Sequence, residues 1–253
     1  MTAGIVRAYA NCLMIRVASS ANSVKDPLDY LPRRSVQEFG KGRVIYSPQQ
    51  PSGRVYLVVL GRVKVITTAE DGYEMIARIV CPEGLFGETC LTGGHPSEAA
   101  VALDTATAMS WTRIEIEEQI EREPKLGISL AQYMVRQCMA LQERIESMAV
   151  HKTPERVMVA LAQLAQMVGK PLPDGPIRLG SLTHHTIAEY VGTSREIVTF
   201  QMNRLRRLGL IRYSRRYIDI HLEAVEQVLR QQGIRVQVPD GQLAERAVVA
   251  ADF

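Results

Sequence analysis

The sequence predicts an α+β chain in three parts: an N-terminal antiparallel β-roll, one long dimerisation helix and a C-terminal winged helix-turn-helix. Three observations carry this. Short, glycine-punctuated strand patterns fill residues 31–112, apolar residues recur at alternating spacings of three and four between 131 and 148, and two capped helices flank Gly192. The parts are placed at 1–26 for an N-terminal arm, 27–122 for the roll, 123–150 for the long helix, 151–236 for the winged helix and 237–253 for a C-terminal tail.

In the roll, Val55, Leu57 and Val59 alternate with Tyr56 and Val58, Val63 and Val65 flank Lys64, and Met75, Ala77 and Ile79 alternate with less apolar neighbours. Gly61 and Asp71-Gly72 read as hairpin turns. Several short strands at this spacing indicate a roll or barrel. The stretch Pro82-Glu83-Gly84-Leu85-Phe86-Gly87-Glu88-Thr89 then breaks the pattern, as backbone does where it approaches a ligand or turns a tight corner.

A short acidic helix is predicted from Arg113 to about Glu121 and a long one from about Glu123 to Val150. Along the second, Ala131, Met134, Cys138, Leu141, Ile145 and Met148 form a heptad seam with charged flanks, the pattern of a parallel dimer helix. The alternative is an amphipathic helix packed on its own domain.

His151-Lys152-Thr153-Pro154-Glu155 marks a boundary, with Thr153 as a cap and Pro154 at the first helical position. The helix that follows runs to Val168 and buries Val157, Leu161 and Leu164. After a Pro/Gly-rich link, Thr183 caps a helix ending at Val191, and Gly192 supplies the left-handed residue of a sharp turn. Thr193 to Glu196 forms a capping box, and a second helix runs to about Leu208, burying Val198, Met202 and Leu205. Leu210 to Ile220 makes two short strands around a basic tip, a wing, and Leu222 to Gln232 a last helix. Between 204 and 216 there are six arginines and no acidic residue. A charge run alone is usually a solvated face. Joined to two capped helices, a glycine turn and a wing, it favours binding to DNA phosphates.

With 46% hydrophobic and 23% charged residues over 253 positions, the composition is that of an ordinary globular protein. The net charge of +3 is mild, so affinity for nucleic acid has to come from local clustering. Cys12, Cys81, Cys90 and Cys138 lack CxxC spacing, which argues against a zinc site or disulfide framework and fits a reducing cytoplasm. No apolar run suits a membrane span, and Arg7 and Arg16 interrupt the faintly signal-like start, so a cytoplasmic location is expected. The adjacent pair His184-His185 points in directions about 100° apart on a helix and makes a poor chelate. No catalytic constellation, metal cluster or cofactor motif is found, so no enzyme activity, metal or cofactor is expected.

In this order, the parts resemble the CRP/FNR superfamily of bacterial transcription regulators. The resemblance spans roughly residues 36–221. It rests on Gly61-Arg62-Val63-Lys64-Val65, Asp71-Gly72, Pro82-Glu83-Gly84, Phe86-Gly87-Glu88, Thr153-Pro154-Glu155-Arg156-Val157 and Ile187 to Glu196. It implies a cyclic-nucleotide-binding-like roll, a homodimer, double-stranded DNA and RNA polymerase as partners, and an effector pocket at Phe86, Gly87, Glu88, Thr89, Cys90, Ser97 and Glu98. Members that bind cyclic nucleotides place an arginine on the cyclic phosphate. Here Ser97 or Glu98 falls at that position. A carboxylate repels a phosphodiester, and the missing bidentate arginine removes a contact of roughly 1.5–3 kcal/mol. Cyclic AMP is therefore not the expected effector, and an unidentified small molecule is left open. Iron–sulfur members need several N-terminal cysteines where this chain has Cys12 alone, and haem members use a histidine for which His95 is the candidate. Cys81 and Cys90 flank the motif loop as a conceivable redox pair.

The resemblance also implies that Ser194, Arg195, Glu196, Thr199, Phe200 and Asn203 face bases in the major groove. Arg195 suits guanine O6 and N7, and Glu196 suits cytosine N4. Phe200 stands where many members carry a second guanine-reading arginine, so one guanine of a palindromic TGTGA-like half-site should be read loosely. Thr183, His185, Arg204, Arg215 and Arg216 would hold phosphates. Two other classes compete: a ligand-binding regulatory module that does not touch DNA, and a constitutive regulator without an effector. Neither a non-DNA module nor an enzyme explains a basic wing.

Overall fold

The computed structural model describes residues 26–70, 72–94, 96–180, 182–214 and 216–236. The expected tail, all of the expected arm but Asp26, and Cys12, Asp71, His95 and Arg215 lie outside the described residues.

Eight strands build the roll: β1 Gln37–Phe39, β2 Val44–Tyr46, β3 Arg54–Leu60, β4 Val63–Thr68, β5 Glu74–Val80, β6 Leu85–Phe86, β7 Glu98–Ala102 and β8 Ala106–Thr112. They pair antiparallel in two four-stranded sheets, ordered β1-β8-β3-β6 and β2-β7-β4-β5. Strands β3 and β4 thus belong to different sheets, and Gly61 is a corner between them rather than the hairpin turn its spacing suggested. At φ +77° its backbone is left-handed, and a Cβ there would come within 2.3 Å of the Thr105 carbonyl oxygen, so only glycine fits. Gly72 does close a hairpin, with Thr68 opposite Glu74.

Both faces of β3 are covered, which explains why its sequence is apolar at nearly every position. Tyr56 and Val58 point into the roll with Phe39, Tyr46 and Phe86, while Val55 and Leu57 pack outward against Trp111, Leu126 and Leu130. The outer layer comes from α1 (Arg113–Arg122) and α2 (Lys125–Val150). Thr112 and Glu115 cap α1 reciprocally. On α2, the Tyr133 hydroxyl donates to the Leu85 carbonyl and accepts from the Leu85 amide, both at 3.0 Å, which fixes the helix on β6.

Helix α2 ends at Val150, where His151 takes an extended conformation. In α3 (Thr153–Val168) the cap is Lys152, not Thr153: the Glu155 carboxylate accepts from the Lys152 amide at 2.8 Å, and Pro154 falls at the second helical position. Helices α4 (His184–Val191), α5 (Arg195–Arg207) and α6 (Leu222–Gln231) complete the C-terminal part. Its sheet holds β9 Lys170–Pro171, β10 Ile177–Leu179, β11 Ile211–Tyr213 and β12 Ile218–Ile220, in the order β11-β12-β10-β9. The wing is therefore half of a four-stranded sheet. The other two strands are too short for any alternation to show in sequence.

A continuous apolar cluster joins Ile66, Ile76, Ile79 and Leu103 of the roll to Val157, Leu161, Ile187 and Tyr190 of α3 and α4. Polar links reinforce it. Lys64 Nζ lies 2.9 Å from Glu189 Oε2, and the Arg144 guanidinium donates to the Ala77 and Tyr190 carbonyls at 2.5 and 2.6 Å while lying over the Tyr190 ring.

Candidate nucleic-acid interface and effector pocket

Helix α4 starts where the Thr183 hydroxyl accepts from the Thr186 amide at 3.0 Å, and ends at Gly192 with φ +72°. The Gly192 and Thr193 amides both return to the Ala188 carbonyl. The cap of α5 is Ser194, which is extended and accepts from the Ile197 amide at 3.3 Å, so the expected Thr193 cap lies one residue too early. The Glu196 carboxylate is held below its usual range by its own backbone amide first and the Ser194 hydroxyl second, which makes it part of the cap.

The two sides of α5 differ sharply. Val198, Met202 and Leu205 are buried, whereas Ser194, Arg195, Glu196, Phe200 and Arg204 are exposed. Phe200 leaves 63% of its surface open, and Ile197 one turn before leaves 42%, an apolar pair on the outer face that the sequence reading only half caught. The signal was available as an i, i+3 apolar spacing on the polar side of the helix.

Thr199 and Asn203 also lie on α5, but each is already engaged. The Thr199 hydroxyl donates to the Arg195 carbonyl at 2.8 Å and faces His184 Nδ1 at 2.9 Å. The Tyr213 hydroxyl donates to Asn203 Oδ1 at 2.9 Å. Arg206, one of the six arginines of the basic run, lies over the Tyr213 ring. Among the expected phosphate holders, Thr183, Arg204 and Arg216 are exposed. His185 is exposed too, yet its Nε2 lies 3.2 Å from Glu189, so it is shared with the contact to the roll.

The expected effector residues divide. Glu88, Thr89 and Glu98 meet: the Thr89 hydroxyl donates to Glu98 Oε1 at 2.8 Å, the Tyr46 hydroxyl donates to the same oxygen at 3.3 Å, and Glu88 pairs with Arg78. Burial pushes the Tyr46 phenol well above its usual range, with Glu98 and Glu88 adding to it. Burial works against the charge of Arg78, but the charge and hydrogen bond of Glu88, joined by Tyr133 and Tyr46, together outweigh it and raise its pKa. Arg78 also donates to Gln137 on α2 at 3.2 Å, which ties the loop after β6 to the long helix. Tyr46, Arg78 and Gln137 are 10 to 59 positions away from their partners, beyond the reach of local patterns.

Phe86 is fully buried, stacked on Tyr56 at 4.9 Å, so it fills the roll. Gly87 is left-handed at φ +79°, and a Cβ would lie 2.5 Å from the Arg54 carbonyl oxygen. Ser97 faces solvent. Cys90 packs with the Trp111 cluster, and Cys81 with the C-terminal one, so the conceived redox pair points to different places; neither is disulfide-bonded. Burial and then Glu88 push the Cys90 thiol upward, which keeps it protonated.

On α2, four of the six expected seam residues are open and two are engaged within the chain. Met134 packs on the Trp111 cluster of its own chain, and Met148 Cε lies 3.5 Å from where a Gly192 Cβ would be. Ala131, Cys138, Leu141 and Ile145 are exposed, together with Ile128, Val135 and Met139. The first turns of α2 are committed to the roll through Leu126, Leu130 and Tyr133, and this sets which side is left open. Among the described residues no helix is long and apolar enough to cross a membrane, and no group of three His, Cys, Asp or Glu side chains could hold a metal ion.

Two family models match the chain, one described as a cyclic nucleotide-binding domain over residues 36–123 and one as a Crp-like helix-turn-helix domain over residues 155–228. The transcriptional regulator SdrP of Thermus thermophilus is 31% identical over 182 residues, covering 71% of this chain and 86% of that protein. The global nitrogen regulator of Synechocystis sp. is 28% identical over 190 residues, covering 74% of this chain and 84% of that protein. A crystal structure of a CRP/FNR family regulator, also from Thermus thermophilus, superposes with a TM-score of 0.65 at 27% identity, over 78% of this chain and 98% of that one. All three are regulators by name, SdrP and the crystallised protein transcriptional ones. A β-roll on a long helix, a helix-turn-helix with its outer side open and a relative matched along most of its length agree, and the chain belongs to the CRP/FNR family of transcriptional regulators.

Proposed function

We propose that the chain is a homodimeric, sequence-specific DNA-binding regulator that reads a palindromic TGTGA-like site and answers to a signal at the roll other than cyclic AMP. The observation that supports this best is the division of α5, with Val198, Met202 and Leu205 inside and Arg195, Phe200 and Arg204 outside. Arg195 would read a guanine, Phe200 a thymine methyl, and Arg204, Arg215, Arg216 and Thr183 would hold phosphates. A second copy of the chain is the occupant that best suits the open side of α2. There Ile128 and Val135 are seven residues apart, as are Ala131, Cys138 and Ile145, the period of a parallel coiled coil. In this reading residues 123–150 join the two chains, residues 151–236 bind half-sites about one helical turn apart (roughly 34–36 Å), and RNA polymerase is the further partner.

For the effector, the roll offers two carboxylates, Glu88 and Glu98, against one guanidinium, Arg78. That balance repels a phosphodiester. A ligand moving Glu88 would disturb Arg78 and through it Gln137 on α2, and the break after Val150 would then let the C-terminal part turn. Such coupling is reciprocal, so DNA should change the ligand's affinity by the same factor.

Selection of duplexes from a random pool, followed by competition at fixed salt, tests the DNA reading. A two-fold symmetric site is expected, with Arg195→Ala relaxing base preference at a cost of about 1–3 kcal/mol. Equal loss on random DNA would overturn the assignment. Mild oxidation tests the dimer: Cys138 should cross-link two chains, and the Cys138→Ser variant should not. If no ligand, oxidant or pH change alters DNA affinity, the regulator is constitutive.

A further inference from the structure

Two polar side chains of α5, Thr199 and Asn203, do not meet DNA as free agents, because α4 and the wing hold them first. Thr199 has a single hydroxyl hydrogen, and it goes to the Arg195 carbonyl. The contact with His184 therefore has Nδ1–H as donor and the Thr199 oxygen as acceptor, so this hydroxyl has no hydrogen left to give and one lone pair already used. Asn203 is half-buried, and its Oδ1 accepts from Tyr213, the last residue of β11. The Tyr213 ring is itself confined, with the His184 ring edge-on at 5.3 Å and the Arg206 guanidinium 5.4 Å from its centroid. A cation over the ring draws charge from the phenol, which favours the hydroxyl as a donor. Tyr213 thus takes one of the two Oδ1 lone pairs and fixes which way the amide faces, which weights what Asn203 offers a ligand toward its Nδ2 donor.

We infer that Tyr213 is a specificity-determining positioning residue: it holds the Asn203 amide so that the Nδ2 donor side is favoured toward the major groove. An unconstrained asparagine pairs with adenine through both atoms, Oδ1 accepting from N6 and Nδ2 donating to N7. With one Oδ1 lone pair taken and the amide fixed by Tyr213, that bidentate geometry is weakened and Asn203 shifts toward bases that accept, guanine through O6 or N7, or thymine through O4. The wing thereby sets base choice without touching a base. This rests on the reading of α5 as the helix that faces the groove.

The test compares wild type, Tyr213→Phe and Asn203→Ala on duplexes that carry each of the four base pairs in turn at every half-site position, by fluorescence anisotropy at one salt concentration. Tyr213→Phe keeps the ring and removes only the hydroxyl. It should shift one position toward adenine by about tenfold relative to wild type, within the range a bidentate pair supplies. Asn203→Ala should flatten that same position, and the salt slope, which counts phosphate contacts, should stay unchanged in both. A Tyr213→Phe profile identical to wild type beside a flattened Asn203→Ala profile would overturn the role of Tyr213. A profile that Asn203→Ala leaves intact would overturn it too, since Asn203 would then read nothing. Wild type binding all duplexes equally, or none, would instead remove the reading of α5 on which the inference stands.

Discussion

Replacing Lys64 with methionine should loosen the contact between the roll and the helix-turn-helix more than any other single change on β4. Lys64 and Glu189 face each other at 2.9 Å with 15% and 5% of their side chains exposed, and His185 reaches the second Glu189 oxygen at 3.2 Å. Lys64→Met keeps the stem and removes the ammonium, leaving a nearly buried carboxylate with the exposed His185 imidazole beside it. Removing one member of a buried pair costs about 3–5 kcal/mol. The residual partner and the partial exposure of Lys64 place this case near the lower end, at about 3 kcal/mol. In a chain of this size that is a fall in Tm of roughly 6–12 °C. Glu189→Met should cost less, because the stranded lysine can swing its head into water. The double variant should cost less than Lys64→Met alone, since Ile66 and Ile76 already make this region apolar. Urea unfolding can be followed by circular dichroism and by the fluorescence of Trp111, the single tryptophan, which is 1% exposed within the roll. A coupling below about 0.5 kcal/mol in the double-mutant cycle would mean that the pair does not act as a unit. The docking would then rest on apolar contacts alone.

Four further outcomes follow from the same geometry. Gly192→Ala should cost about 1–2 kcal/mol through its left-handed φ of +72°, with little steric share because the nearest atom lies 3.5 Å away; an unchanged urea midpoint would contradict this. Met202→Ala, at a site with no exposed surface, should cost about 2–5 kcal/mol, and retention of full DNA affinity at 37 °C would count against a core role. Arg216→Ala should reduce the salt slope of DNA binding by about one without altering base preference, the reverse of Arg195→Ala. Burial, and next the Arg195 charge, hold the His184 imidazole below its ordinary range. The unfolded chain, near pH 6.5, thus takes up its proton first, and stability should fall as pH drops below about 6.5. His184→Gln should flatten that fall, whereas parallel curves for the two proteins between pH 7.5 and 5 would refute it.

What the sequence made legible is what local physics controls. Gly192, the burial of Val198, Met202 and Leu205, and the open side of α5 all follow from the 3.6-residue period and from capping, and they are where they were expected. The one-residue error at the α5 cap has the same origin, because Thr193 and Ser194 are equally good caps on paper. Contacts between distant segments were not legible. Lys64 and Glu189 are 125 positions apart, Arg78 and Gln137 59, and no periodicity announces either pair. Gly61 looked like a hairpin because a glycine between two strands does not say whether those strands share a sheet. For a related reason the heptad on α2 did not reveal that Met134 also packs on the roll. A heptad fits a narrow helix stripe in several phases, and the contacts of Leu126, Leu130 and Tyr133 with the roll decide which phase stays open.

Arg144 belongs to the long helix, yet both prongs of its guanidinium end on carbonyls of other segments, one in the roll at Ala77 and one in the helix-turn-helix at Tyr190. A single rivet through three plates couples their movements. Any roll of the long rod about its own axis must drag a sheet edge and the reading head together or shear the rivet. Arg144→Lys, with a point charge in place of a fork, would let the plates slip separately, and DNA affinity would then cease to track events in the roll.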